Sequence, residues 1–131
     1  IYAGSASNEA LISPSGDGQA LTPTNFNAEI VGRYGSADIK PTNLADGCAY
    51  VQKSQRKLRE MNLFHDPVTT KSVLLNRRAD HVTFPEVIDL ATSNLPYPSL
   101  YALKSNGNIA AMSFDRDTAE KTQGFYEVEL G

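Results

Sequence analysis

The sequence predicts an α+β fold on three observations. A run of apolar residues at helical spacing sits inside a basic segment, a capping signature stands near residue 83, and an Asn-Gly pair separates two alternating apolar runs. They divide the chain into a long extended N-terminal arm, residues 1–42, and a small α+β domain, residues 43–131.

The arm follows from turn chemistry. Residues 1–48 hold six of the nine glycines and three of the seven prolines, including Ser13-Pro14-Ser15-Gly16-Asp17-Gly18 and Thr22-Pro23-Thr24-Asn25. Such clusters punctuate regular structure. One strand interrupts them, with Phe26, Ala28, Ile30 and Gly32 alternating against Asn27, Glu29 and Val31. A polar, glycine-rich segment of this length has little of its own to bury, so it is expected to order against another chain.

The domain opens with an amphipathic basic helix. Cys48, Val51, Leu58 and Met61 share one stripe, while Lys53, Arg56, Lys57 and Arg59 spread over the rest. Asn43 or Asp46 caps it and Asp66-Pro67 ends it. Residues 68–75 fit a strand or a short helix equally well. Thr83, Pro85 and Glu86 form a capping box with proline in the first turn, and Phe84, Val87, Ile88 and Ala91 complete a short helix ending near Ser93-Asn94. Residues 100–104 and 108–114 flank Ser105-Asn106-Gly107, a hairpin signature that calls for positive φ at the turn. Residues 125–130 supply a last strand in a small antiparallel sheet.

Composition narrows the function. At 131 residues the chain fits one domain. No run approaches the roughly 20 apolar residues of a membrane span, and residues 1–10 lack the basic and apolar regions of a secretory signal. Cys48 is the single cysteine, so a disulfide scaffold is excluded and a reducing compartment is mildly favoured. With His65 and His81 it cannot complete the usual structural zinc sites. Asp115-Arg116-Asp117 with Glu120 lacks the EF-hand pattern. Gly16-Asp17-Gly18 and Gly32-x-x-Gly35 lack the strand–loop–helix setting of phosphate loops. No Gly-x-Ser-x-Gly elbow is present. Neither metal nor cofactor is expected.

Charge is segregated. Residues 49–80 carry seven basic against three acidic side chains, and the flanks are acidic on both sides. Lys53, Arg56, Lys57, Arg59, Arg77 and Arg78, with Lys71 between them, therefore form the candidate binding surface for an acidic protein or for phosphate. A pI near 5.3 places nucleic acid behind protein as a partner. Cys48, at the start of the expected helix, is the candidate for modification, because a helix N-terminus lowers a thiol pKa; an inert buried cysteine is the stronger reading. These features favour a non-catalytic structural or linker subunit of a larger assembly, binding same or different subunits through the arm and the basic helix. The alternatives are a self-assembling viral coat protein enclosing RNA and a small enzyme using a histidine, chiefly His65.

Overall fold

A computed structural model describes residues 1–16, 18–44, 47–62, 72–95, 97–115 and 122–130. It overturns the α+β expectation. The described residues form eleven strands and one four-residue 3₁₀ turn, Asp80–Thr83. The strands make three antiparallel sheets, each built from consecutive strands. The first holds β1 (Tyr2–Gly4), β2 (Glu9–Ser13) and β3 (Asn27–Gly32). The second holds β4 (Thr42–Leu44), β5 (Gly47–Val51), β6 (Leu58–Asn62) and β7 (Ser72–Leu74). The third holds β8 (Val87–Ser93), β9 (Ser99–Lys104), β10 (Ile109–Asp115) and β11 (Thr122–Val128). Among the described residues no helix is long and apolar enough to cross a membrane.

The second sheet lies in the middle of the stack. Ala49 and Val51 of β5, with Leu58 of β6, join Leu100, Ala102, Ala110 and Met112 of the third sheet in the main core. On the opposite face, Cys48, Tyr50 and Met61 pack with Tyr2 and Val31 of the first sheet. Register explains the division, since Cys48 stands opposite Met61 and Val51 opposite Leu58, and successive strand side chains point to opposite faces.

That double burial is why the expected basic helix is absent. A strand covered on both faces shows no polar alternation, so Cys48, Val51, Leu58 and Met61 fit a helical stripe by coincidence. The polar run between β5 and β6 is a hairpin loop instead. Gln52 N–H donates to Lys57 O at 2.9 Å, Gln55 N–H donates to Gln52 O at 2.8 Å, and Gln55 has φ 60°.

The short helix expected after Thr83 is also replaced, by β8. The register of β8 on β9 slips between Val87 and Asp89. Such a bulge adds one residue and turns a period of two into three. Val87 and Leu90 therefore both face the core, three residues apart as on a helix. Thr83 is buried and serves as a hydrogen-bonding post instead of a cap.

The expected arm is likewise corrected. Its residues carry the first sheet, and the segment after β3 stitches that sheet to the middle one. Ser36 N–H donates to Ser5 O at 2.7 Å, Ala37 N–H to Val51 O at 2.9 Å, and Lys53 N–H to Gly35 O at 3.2 Å. Gly35 has φ 80°, and an added Cβ would stand 2.5 Å from Ala6 O, so no other residue fits there without a shift.

The hairpin at Asn106-Gly107 joins β9 to β10, with a different turn from the one its dipeptide suggests. Gly107 has φ 88° and Asn106 is not left-handed. Gly107 N–H donates to Lys104 O at 3.0 Å, and Lys104 N–H to Asn108 O at 2.9 Å. This is the three-residue loop that ends in a left-handed glycine.

The middle and third sheets meet most extensively at their first strands, β4 and β8, where Thr42 Oγ1 lies 3.1 Å from Thr92 Oγ1. Toward β7 the space between these sheets is filled by Leu75, Ala79 and Val82 of the connection to β8. One buried amide organises that connection. Asn76 Oδ1 accepts from Leu58 N at 3.2 Å, and its Nδ2 donates to Arg56 O at 2.9 Å and Thr83 Oγ1 at 3.0 Å. Asn76→Ala orphans these buried backbone groups, each worth about 1–3 kcal/mol when left unpaired. We expect a loss of about 3 kcal/mol, read from urea denaturation with an unchanged m-value.

Lys104 is 2% exposed and forms an ion pair with the half-exposed Glu127. That hydrogen bond, aided by Asn108 Nδ2, holds the Glu127 carboxyl below its ordinary value of 4.5. A depressed carboxyl contributes stability that is complete above the ordinary value and lost as pH falls through the lowered one. Stability should therefore fall on acidification below about pH 4.5, and Glu127→Gln should flatten that part of the profile while lowering stability at neutral pH.

Candidate functional site

The candidate cations do not share a helix face. Lys53, Arg56 and Lys57 occupy the β5–β6 loop, while Arg77 and Arg78 follow β7. The Asn76 network ties the two loops together, so Arg56, Lys57, Arg77 and Arg78 gather at one end of the middle sheet. Arg56 is partly engaged, 3.7 Å from Asp80 and with its guanidinium carbon 5.3 Å from the Phe84 ring centroid. Lys53, Lys57, Arg77 and Arg78 are exposed. Arg59 is not part of this surface. It is buried between the first and middle sheets, its guanidinium carbon 3.5 Å from the Tyr34 ring centroid and its Nε donating to Gln52 Oε1 at 2.8 Å. Lys71, His65 and the 116–121 stretch lie outside the described residues.

A second group of polar residues lies between the first and middle sheets, and sequence patterning did not single it out. Glu9 is fully buried and accepts from Tyr34 N at 3.2 Å and Ser36 Oγ at 3.5 Å. Tyr2 and Ser36 share a hydroxyl hydrogen bond of 2.7 Å, as do Tyr50 and Ser72. The Tyr2 and Tyr50 rings pack with centroids 5.3 Å apart. Burial pushes both phenols up, Tyr50 to about 12, so both are neutral hydrogen-bonding groups at physiological pH. An alternation carrying a lone Glu9 among Ala10, Leu11 and Ile12 was the available signal.

An open cleft of about 720 Å³ borders this layer, lined by Tyr2, Ser36, Asp38, Lys40, Tyr50 and Lys53 among others. It offers ammonium groups and neutral phenols but no histidine–nucleophile pair. His81 is exposed and is not among its lining residues. Among the described residues, no group of three His, Cys, Asp or Glu side chains is placed to hold a metal ion.

The third candidate surface is the outside of the stack. In the first sheet Tyr2, Gly4, Glu9 and Leu11 share the inward face, which leaves Ala3, Ala10, Ile12, Ala28 and Ile30 on the outward one. Ile30 is 60% exposed. In the third sheet Leu100, Ala102, Ala110 and Met112 point into the core, so Ala91, Tyr101, Leu103, Ile109, Ala111, Tyr126 and Val128 point out. Tyr126 is 47% exposed. Ala111 stands directly opposite both Tyr101 and Tyr126 and is covered. Sheets with one solvated face normally carry polar side chains there. Here both end faces are apolar.

Cys48 belongs to a strand, with no helix N-terminus beside it. Burial, then the nearby Glu60 charge, pushes its thiol up to about 11. The thiolate is the reactive form, so a thiol-specific disulfide reagent at pH 8 should label the native protein far more slowly than the urea-unfolded chain. Equal rates would place Cys48 on accessible surface.

Compared with known proteins, the chain matches no family model and no curated sequence.

Proposed function

We propose that this chain is a non-catalytic structural module of a larger protein assembly, joined to its neighbours through the two outer faces of its sheet stack. The observation that carries the reading is the pair of apolar end faces. Contiguous exposed apolar surface marks interaction sites in folded proteins, and both ends of one stack have it. The exposed cations Lys53, Lys57, Arg77 and Arg78 lie elsewhere, at the end of the middle sheet. They suit salt-dependent steering toward an acidic protein surface more than a built anion site. A histidine-dependent enzyme draws no support from His81, which is exposed and stands apart from the lining of the cleft.

The test uses the exposure of the faces themselves. Ile30→Lys and Tyr126→Lys change side chains that the fold leaves open, so circular dichroism should be unchanged. The unaltered chain should either self-associate in light scattering or, as a monomer, bind a hydrophobic dye. Each substitution should reduce that behaviour, and the double variant should abolish it. A monomeric unaltered chain that binds no dye would overturn the proposal.

A further inference from the structure

We infer that the neighbour on these faces is a second copy of this chain, the outer face of β1–β3 in each copy covering the outer face of β8–β11 in the other, so that two copies close six sheets into a ring. This deepens the reading above and rests on it.

Four observations lead to this occupant. First, one chain carries both halves of an interface. The β1–β3 face offers small side chains, Ala3, Ala10 and Ala28, beside Ile12 and Ile30; the β8–β11 face offers Tyr101 and Tyr126 beside Leu103, Ile109 and Val128. Large side chains fill the space that alanines leave, whereas either face against itself would set alanine on alanine or tyrosine on tyrosine. Second, the registers put one charged side chain, Asp89 in the first strand of its sheet, on these two faces where they are described. Apposition therefore desolvates almost no charge. Third, the contact continues one the chain already makes, since each neighbouring pair of its sheets packs face to face around apolar cores.

Fourth, the stack turns. The middle and third sheets meet at β4 and β8, and the opposite side of their interface is wedged open by Leu75, Ala79 and Val82. Sheets arranged as a fan advance around an axis instead of along a line. Radial repetition of antiparallel sheets closes at about four to eight sheets, and three sheets per chain make six from two copies. The two end faces differ, so the contact is head-to-tail, and a head-to-tail contact whose rotation closes gives a ring instead of a fibre. A closed ring of two covers both end faces of both copies with one kind of interface used twice.

The experiment uses the full chain with Ala10→Cys in one preparation and Tyr126→Cys in another. Buried Cys48 is spared by brief labelling at pH 7. Light scattering of the unaltered chain at about 100 µM should give twice the 14.2 kDa chain mass. The mixed cysteine preparations should be joined by a short bismaleimide, and each preparation alone should not. Ile30→Lys should raise the dissociation constant by about a hundredfold or more, because the ammonium must be desolvated in the contact. Products within a single preparation would show a face pairing with itself and overturn the ring. A monomer that binds hydrophobic dye would overturn self-pairing while leaving the end faces open to a different protein. A monomer that binds no dye would remove both this inference and the proposal beneath it.

Discussion

Strand β5 has side chains buried on both of its faces, and the rest of the molecule is arranged to keep it so. Ala49 and Val51 need the third sheet against them; Cys48 and Tyr50 need the first. Neither outer sheet is optional, because removing one would open a row of middle-sheet side chains to water at roughly 25 cal/mol for each Å² of apolar surface exposed. The price of covering both faces is that the outer sheets become the ends of a stack. Their outward side chains are apolar too, so the problem solved for the middle sheet reappears at each end.

Polar groups locate the sheets that apolar contact holds together. Burial is non-directional and does not choose between nearby registers. The choice is made by a few bonds where one sheet hands over to the next. Val87 N–H donates to Gln55 O at 2.7 Å, tying the tip of the β5–β6 hairpin to the start of β8. Ser36 N–H to Ser5 O does the same between the first and middle sheets. Glu9, fully buried, reaches the backbone of Tyr34 beyond the end of β3. It leaves no room at Gly32, where an added Cβ would fall 2.3 Å from the carboxylate.

Local chemistry made parts of this fold legible in the sequence. Asn106-Gly107 marked a hairpin and the alternation around Ala28 and Ile30 marked a strand, because turn preferences and one-sided burial leave short-range signatures. The middle sheet left none: a strand buried on both faces has no polar period, and a bulge gave β8 the three-residue spacing of a helix. The charge count found four cations that the Asn76 amide brings together, but it also included Arg59, which the Tyr34 ring and Gln52 take inside. That separation depends on residues distant in sequence, as does the pairing of Glu9 with Ser36. The outer faces were hidden for a similar reason. A strand with alanines and one isoleucine on its open side reads as core until its partners are known.

Every strand pairs with a sequence neighbour, and that has a consequence for how the chain comes to be folded. Contacts within a sheet close over short loops, which costs little chain entropy and favours fast formation. During synthesis each sheet can therefore assemble soon after its last strand emerges, without waiting for the C-terminus. The order of emergence leaves the middle sheet complete, with one side resting on β1–β3 and the other bare, until β8 to β11 arrive. That interval is when the nascent polypeptide is stickiest, and when a chaperone would have most to hold.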